Sequence, residues 1–423
     1  MKISKFSLKV PNAQAEDCEI AGVVEEVDKK LIDMISKKQT PYKSLLICSG
    51  GTTSRCASKG SITLDLRKNH KKIMFDRNTN EVCIESGVIM KDLINNISKE
   101  NRSFPIGLSG ITGVGYILTG GISPLSRLYG LAIDQVLEIN GFWANGNRFF
   151  LKKPNTLSSQ KQNFEWRALL GASPFLGIVT SLRLKTYRMV SIYKWEAIVK
   201  PRELSLAIKY AENWPDYASL FWIWGDKIKV TVVIETDNEK DLEILNELSS
   251  IKNSRLVKLR GIQELNKSEE SNKKISYKRK HAEVIGLLGG AYKNHVNDLI
   301  MSLEKLMLER PDKGCYLAAQ QLGGMTSHIK KESTSFIHRE AIWKPWITGS
   351  WPAGNKNERL KSLDWMKEAW KLFKPNCPGI HLAQLHPHLD WHKEEIQRAY
   401  EDWLPKLQQM KSTYDPEGIL PPL

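Results

Sequence analysis

Two stretches rich in glycine and small hydroxyl residues constrain the fold of this 423-residue chain more than any other feature. The first is SGGTT at residues 49–53, directly after the apolar run LLIC, and the second is SGITGVGYILTGG at residues 109–121. Glycine lets backbone N–H groups approach a ligand closely, and serine and threonine hydroxyls add further donors. Two such tracts between strands predict a site for an elongated ligand with phosphates and a flat ring. Glycines that serve only close packing are the alternative, and neither tract has the P-loop or GxGxxG pattern.

Short apolar or alternating runs surround these tracts. They predict strands at residues 45–48, 61–66, 82–84 and 177–187, because each run is bounded by turn residues. Residues 88–98 place four aliphatic side chains on one face and predict a helix. After residue 190, strand-like and helical stretches are grouped unevenly, with strands at 195–199, 220–224 and 228–234 and helices at 239–248, 295–308 and 393–410. This grouping predicts an α+β fold in which helices cover a sheet.

Composition excludes several classes of protein. Hydrophobic residues make up 41% and charged residues 26% of the chain, which is typical of a globular protein. No apolar run is long enough for a membrane-spanning helix, and the N-terminal lysines precede no continuous apolar segment, so we expect no membrane span and no secretory signal. The net charge is +15, but the lysines are scattered and no nucleic-acid-binding motif occurs, which favours a solvated basic surface and no nucleic acid partner.

Cysteine and histidine spacing predicts no metal site. The six cysteines include no CxxC pair, which indicates a reducing, cytoplasmic compartment. His386, His388 and His392 lie close together beside Asp390, but Pro387 favours a surface turn over a ligand set.

The order of these pieces resembles the FAD-binding domain of the vanillyl-alcohol oxidase and p-cresol methylhydroxylase (PCMH-type) superfamily, and most of all its berberine-bridge-enzyme-like and sugar oxidase branches. The family's Arg-Ser-Gly-Gly-His-Ser loop is similar to residues 48–53, and its VEAGxxxxDL motif is similar to residues 84–87 and 91–93. The family's GGGxxxLSRKYGLAxDN resembles residues 120–135, and the strand at 177–181 and the ending at 414–416 also fit.

The resemblance implies a two-lobed PCMH-type FAD-binding domain at residues 1–188, an α+β substrate domain with an antiparallel sheet covered by helices at 189–375, and a C-terminal segment at 376–423 that returns to the FAD domain. It also implies an FAD-dependent oxidase or dehydrogenase that takes a hydride from a C–OH group of an alcohol, sugar or similar small molecule to flavin N5. The electron acceptor is O₂ or another, unidentified molecule. The cofactor-binding residues implied by the resemblance are Ser49, Gly50, Gly51, Thr52, Thr53, Gly107, Ser109, Thr112, Gly113, Gly115, Tyr116, Thr119, Gly120, Ile178 and Val179.

Departures from the family pattern concern the flavin linkage and catalysis. Thr52 and Ser109 replace the histidine and cysteine that attach FAD covalently in the family, so we expect non-covalent FAD. Thr112 falls at the position where the family has a residue beside the flavin that influences the access of oxygen. His381 stands at the tyrosine of the family's GxYxN strand, close to Gln384, and these two are the catalytic candidates, with His381 as the proton acceptor. A structural or solvent-exposed histidine is the alternative.

Two further interpretations remain open. The ending at residues 415–420 also resembles the D-2-hydroxy-acid dehydrogenase branch, in which Arg279 or Arg339 would bind a substrate carboxylate. The second open interpretation is a flavin-binding subunit without catalytic activity. Of the thirteen tryptophans, Trp222, Trp224, Trp343, Trp346 and Trp351 are candidates for a substrate-pocket wall, with burial in the core as the alternative.

Overall fold

The fold is α+β, and the part of the chain that the structure describes contains three sheets of three or more strands. A computed structural model describes residues 4–5, 22–26, 29–37, 42, 44–58, 60–271 and 280–423. Arg279, one of the two predicted carboxylate-binding arginines, lies outside the described residues. No helix among the described residues is both long enough and apolar enough to cross a membrane.

The first sheet has the strand order β1-β2-β4-β3, with β4 parallel to both of its neighbours and β1 antiparallel to β2. Its strands are β1 (Ser4–Lys5), β2 (Gly22–Val24), β3 (Ser44–Cys48) and β4 (Ser61–Asp65). Helix α1 (Lys29–Ser36) connects β2 to β3 in the chain. The apolar run at residues 45–48 thus forms a strand, as predicted, and it lies at one end of this sheet next to β4.

The second sheet is antiparallel, with the order β5-β6-β10-β8-β9. Its strands are β5 (Ile73–Asp76), β6 (Glu81–Glu85), β8 (Val136–Trp143), β9 (Arg148–Lys152) and β10 (Gly177–Lys185), while β7 (Arg102–Ser103) pairs with β11 (Tyr187–Arg188). The helices of this region are α2 (Met90–Ile97), α3 (Gly115–Leu118), α4 (Ser126–Tyr129) and α5 (Gln160–Leu176).

The third sheet is antiparallel and has eight strands, in the order β15-β12-β14-β13-β17-β18-β16-β19. Its strands are β12 (Ile192–Val199), β13 (Ala218–Trp224), β14 (Ile228–Glu235), β15 (Arg255–Leu259), β16 (Lys280–Leu288), β17 (Tyr316–Gln321), β18 (Trp343–Pro352) and β19 (Gly379–Ile380). The remaining helices are α6 (Pro201–Ala211), α7 (Ile262–Ser271), α8 (Val296–Leu308), α9 (Met325–His328), α10 (Lys356–Phe373), α11 (His392–Tyr400) and α12 (Leu404–Tyr414). Helices α6 and α10 pack against strands of this sheet, and α8 packs against both helices.

Short 3-10 helices complete the described chain. They are Ser54–Cys56, Ser98–Glu100, Ala132–Gln135, Glu239–Leu248, Lys293–His295, Lys331–Ser333 and Glu401–Trp403. The predicted helix at residues 239–248 therefore exists as a 3-10 helix. The predicted helix at 393–410 is two helices, because Glu401 has a left-handed φ of 44° that ends α11.

The last residues of the chain lie against the first sheet. The backbone N–H of Leu45 donates to the carbonyl of Ile419 at 2.7 Å, and Ile419 and Leu420 join the core that covers β3 and β4. Earlier in the same segment, β19 is a strand of the third sheet. Residues 376–423 thus contact both the first and the third sheet, and the three-part division at residues 188 and 375 stays a prediction.

Arg127 connects the second glycine-rich region to the third sheet. Its guanidinium is buried and donates hydrogen bonds to the carbonyls of Ala218 at 2.8 Å, Leu322 at 2.7 Å and Trp214 at 2.6 Å. These three carbonyls belong to residues of, or next to, strands β13 and β17. A planar guanidinium offers five donors in fixed directions, so it suits a junction of several backbone carbonyls. This arrangement holds the glycine-rich segment against the large sheet.

Candidate functional site

The first glycine-rich loop, residues 49–53, begins where β3 ends. Gly51 has φ of 71°, a conformation that residues with a side chain rarely adopt. The Ser49 hydroxyl donates to the carbonyl of Ser86, and the Ser86 hydroxyl donates to the carbonyl of Val179 at 2.6 Å. This chain of hydrogen bonds places the loop beside β10, next to Val179, one of the implied cofactor-binding residues.

The two glycine-rich loops contact each other through glycine. A Cβ on Gly50 would lie 2.3 Å from the backbone N of Gly113, and a Cβ on Gly113 would lie 2.3 Å from the Ser49 hydroxyl oxygen. No larger residue fits at either position without moving the backbone. The second loop is also tied to α2, because the N–H groups of Met90 and Lys91 donate to carbonyls of residues 112 and 110 at 2.8 and 2.9 Å.

A cavity of about 610 Å³ extends from these loops to the third sheet. That volume lies within the range of about 300–1,000 Å³ found for small-molecule and cofactor sites. The predicted site residues that line it are Ser49, Gly50, Gly51, Thr52, Thr53, Gly107, Ser109, Thr112, Gly113, Gly115, Tyr116, Thr119, Val179, His381 and Gln384. Gly120 and Ile178 are not part of the lining. Ile178 is buried in the core beneath the first sheet, and Gly120 packs beside Phe336.

The residues present fit a dinucleotide such as FAD. The first loop contributes only small side chains, at residues 49–53, and the position where Gly115 of the second loop would carry a Cβ is open space. Arg55, two residues after the first loop, lines the same cavity, and its Nη1 is buried without a hydrogen-bond partner among the described residues. Burial lowers the pKa of this guanidinium, so a nearby anion such as a phosphate would stabilise its charge.

Strand register in the third sheet builds the opposite wall. Phe221 of β13 lies opposite Gln320 of β17, and Gln320 lies opposite Lys344 of β18. Because residues paired directly across antiparallel strands project from the same face, these three side chains form one row. Trp346, two residues after Lys344, lies on the same face and stacks with Phe221 at a centroid distance of 5.5 Å. Lys344, Gln320 and Phe221 were not predicted, because strand pairing is not visible in the sequence.

The segment after β19 brings His381 and Gln384 to this wall. The N–H of His381 donates to the carbonyl of Gly286 in β16 at 2.9 Å. The Nδ1 atom of His381 lies 3.4 Å from the side-chain oxygen of Gln384, and its Nε2 is buried without a hydrogen-bond partner among the described residues. A Cβ on Gly120 would lie 3.5 Å from this Nε2, so the imidazole faces the end of the second glycine-rich loop.

Burial controls the charge of the two basic groups on this wall. Desolvation, with the nearby charge of Lys344, lowers the pKa of His381 well below its usual value, so the imidazole is neutral at pH 7. Desolvation lowers the pKa of Lys344 to about 7. The Lys344 ammonium lies 4.1 Å from the centroid of the Trp346 ring. A neutral imidazole with an unpartnered Nε2 can accept a proton.

The histidine cluster that follows is buried and bound to carboxylates, so the prediction of a surface turn is wrong for His386. Its Nδ1 lies 2.7 Å from Glu395, and its Nε2 lies 3.6 Å from Glu283. His388 bonds Glu283 at 2.7 Å, and His392 lies 3.5 Å from Glu395. Although burial opposes ionisation of Glu395, its contacts with His386 lower its pKa to about 2. Among the described residues, no group of three or more His, Cys, Asp or Glu side chains is arranged so that it could hold a metal ion.

Arg339 already forms a buried ion pair with Asp134. It donates to both carboxylate oxygens of Asp134, at 2.9 and 2.8 Å, and to the Thr334 hydroxyl at 2.6 Å, and it does not line the cavity. This geometry disfavours the expectation that Arg339 binds a substrate carboxylate. Of the five tryptophan candidates, only Trp346 lines the cavity, and the other four are buried in the core.

Comparisons with known proteins support the interpretation of the two glycine-rich loops as an FAD-binding cradle. The family described as FAD binding domain matches residues 26–150. The FAD-linked oxidoreductase nodO of Hypoxylon pulicicidum is 29% identical over 160 residues, which cover 37% of this chain and 34% of that protein. Berberine bridge enzyme-like 24 of Arabidopsis thaliana is 23% identical over 353 residues, which cover 75% of this chain and 62% of that protein. The chain thus spans less than two thirds of the length of these relatives.

Solved structures share the fold at low sequence identity. BBE-like 1 of Physcomitrella patens has a TM-score of 0.82 at 15% identity, covering 98% of this chain and 92% of that one. The xylooligosaccharide oxidase of Myceliophthora thermophila C1, solved in complex with xylobiose, has a TM-score of 0.77 at 15% identity, covering 95% and 90%. The predicted resemblance and the predicted α+β fold are confirmed.

Proposed function

Because residues 26–150 belong to the FAD binding domain family and the chain has the fold of the berberine-bridge-enzyme-like proteins, we propose that it is an FAD-dependent oxidoreductase. Its substrate is a small molecule with a C–OH group, an alcohol, a sugar or a similar compound. The observation that carries this proposal is the buried, unpartnered Nε2 of His381, a residue that lines the cavity and lies next to Gly120 at the end of the second glycine-rich loop.

His381 accepts the hydroxyl proton in this proposal. The tautomer protonated at Nδ1 donates to the side-chain oxygen of Gln384, which leaves the lone pair of Nε2 directed away from that contact. Bound FAD would supply the hydride acceptor, so the products would be a carbonyl compound, the reduced flavin carrying the hydride, and the His381 imidazole carrying the hydroxyl proton. Gln384 is a positioning residue, since it orients the imidazole and the proton passes to Nε2. The electron acceptor is O₂ or another oxidant.

We propose that FAD is bound without a covalent link. Thr52 and Ser109 both line the cavity, and neither side chain provides an imidazole or a thiol. The cradle is then held to the cofactor only by hydrogen bonds, packing and the charge of Arg55. We also propose a reducing, cytoplasmic compartment, because the sequence has no CxxC pair and too few cysteines for a disulfide scaffold.

The test starts from the visible absorption spectrum of the purified chain, reconstituted with FAD where needed. We expect a flavin spectrum, release of the colour into the supernatant on acid precipitation, and anaerobic bleaching by at least one alcohol, sugar or hydroxy acid. Colour retained in the pellet would contradict the non-covalent link, and absence of flavin binding would overturn the whole proposal. A flavin that dithionite reduces but that no substrate in the panel bleaches would favour the catalytically silent subunit.

A further inference from the structure

Lys344 is a buried cation that lacks a counter-ion among the described residues. Only 7% of the residue is exposed, and it lines the cavity. Its ammonium makes a cation–π contact with the face of Trp346. An isolated charge in a protein interior is strongly unfavourable unless a partner compensates it. Burial accordingly lowers the pKa of Lys344, and an anion that enters the cavity would supply the missing partner and stabilise the charged form.

Gln320 lies beside Lys344 and has a free donor. The two residues are paired directly across β17 and β18, so their Cβ atoms are roughly 5 Å apart. The Nε2 of Gln320 is buried, and no described residue accepts a hydrogen bond from it. An ammonium and an amide N–H next to each other match the two oxygens of one carboxylate.

Glu283 is the one acidic residue among the described residues that line the cavity, and its carboxylate is already engaged. Glu283 is buried and bonds His388 at 2.7 Å, with His386 at 3.6 Å. Aromatic rings flank the Lys344–Gln320 pair, with Trp346 stacked on Phe221. The pair therefore forms a small positive region within an aromatic wall, on the same side of the cavity as the proton-accepting atom of His381.

We propose that Lys344 and Gln320 bind a carboxylate of the substrate, so that the protein oxidises a hydroxyl group of an anionic molecule, such as a hydroxy acid or a sugar acid. This inference rests on the proposed oxidoreductase function and names its substrate class. Lys344 takes the role that the sequence analysis assigned to Arg279 or Arg339. Charge recognition at one end of the substrate and proton acceptance by His381 at the other orient the carbinol carbon.

The test uses the FAD-reconstituted full chain and benzoate as a carboxylate that cannot be oxidised, with neutral benzamide as its matched control. Calorimetry measures the binding of each compound at pH 6, where Lys344 is charged. We expect benzoate to bind at least tenfold more tightly than benzamide. Lys344→Met should remove that difference, Gln320→Leu should reduce it, and Lys344→Arg should retain most of it. Lys371→Met, at an exposed site, is the control substitution.

Equal affinities for benzoate and benzamide in the unmodified protein would overturn the inference. So would a Lys344→Met protein that keeps the benzoate preference but loses turnover of neutral and anionic alcohols alike, since Lys344 would then act on the flavin or on the proton. Retention of the flavin spectrum in every variant shows that the fold and the cofactor site survive. Failure of FAD to bind at all contradicts the proposed function, which distinguishes it from failure of the carboxylate site.

Discussion

The backbone N–H of His381 donates a 2.9 Å hydrogen bond to the carbonyl of Gly286, which joins the C-terminal segment to the large sheet at the candidate catalytic residue. A Cβ on Gly286 would lie 1.8 Å from the side-chain oxygen of Gln384 and 3.0 Å from the Cβ of His381. We therefore expect Gly286→Ala to displace both side chains and to lower kcat by about tenfold or more, since a misplacement of about 1 Å can cost up to about 10²-fold in rate.

Gly290→Ala is the matched control for this substitution. The nearest atom to a Cβ on Gly290 is the side-chain oxygen of Asn376, 3.8 Å away, which is an ordinary contact. Steady-state kinetics should show little change for Gly290→Ala. Equal activity in both variants would mean that the position of Gln384 does not matter for turnover.

Replacement of His381 should remove proton acceptance and leave flavin binding intact. General base catalysis contributes about 10²–10⁴-fold, so we expect His381→Ala to lower kcat by that factor. Burial lowers the pKa of His381 well below its usual value, so the imidazole is already neutral near pH 6.5 and kcat should fall only at a distinctly lower pH. His328→Ala, at an exposed histidine, is the control. If His381→Ala leaves kcat unchanged, a group other than His381 accepts the hydroxyl proton.

Carboxylate binding should weaken as the pH rises through about 7. Lys344 has its pKa lowered to about 7 by burial, so its cationic form dominates below that value and is lost above it. The other titratable residues that line the cavity among the described residues are Arg55, Cys56, Tyr116, Glu283, Tyr316, His381, His386 and His392. Benzoate affinity measured from pH 5.5 to 9 should therefore be highest at the acid end, and benzamide affinity should be flat. A pH-independent affinity for benzoate would contradict a role for the Lys344 charge.

Arg339 should matter for stability and not for substrate choice. Its side chain and that of Asp134 are 2% and 5% exposed, and removal of one partner from a buried ion pair costs roughly 3–5 kcal/mol. We expect Arg339→Met to lower the free energy of unfolding by about that amount, measured by urea denaturation. Lys371→Met breaks the exposed Lys371–Glu368 pair and should cost at most about 1 kcal/mol. A stable Arg339→Met protein that loses only turnover of hydroxy acids would restore the carboxylate role to Arg339.

Arg55 should contribute to FAD affinity. Its buried Nη1 lacks a described partner and lies beside the loop at residues 49–53, and a hydrogen bond to a charged group contributes about 1.5–3 kcal/mol. Arg55→Met should thus raise the Kd for FAD about tenfold or more, as measured by fluorescence titration of the apoprotein. Arg77→Met changes an exposed arginine paired with Glu100 and should leave the Kd unchanged. An unaltered Kd in Arg55→Met would exclude the guanidinium as a phosphate ligand.

Local patterns in the chain were sufficient to predict the cradle and most strands near it. Alternating or apolar runs predicted β3, β4 and β10, and the structure confirms these strands. The four aliphatic positions of residues 88–98 predicted α2, which is Met90–Ile97. These strands and this helix depend on side chains that lie only a few residues apart in the chain. The local sequence is therefore sufficient to predict them.

The histidine cluster and the split C-terminal helix show where such patterns fail. Residues 393–410 have a helical spacing, but the positive φ of Glu401 ends α11, and Pro405 in the first turn of α12 is the sequence signal for this break. Pro387 favours a surface turn, whereas His386 is buried beside two carboxylates that compensate it, Glu395 nine residues later and Glu283 from the distant strand β16.

By itself, the sequence determined the two glycine-rich loops, the resemblance to FAD-binding proteins and the absence of the family's covalent anchors. The tertiary structure alone decided which polar groups meet in the cavity. Lys344 and Gln320 are neighbours through the register of β17 and β18, and His381 joins them through Gly286 of β16. Their pKa values, donors and partners depend on burial by residues far away in the chain. No local pattern encodes that burial, because it arises only when the sheet and the loops pack together.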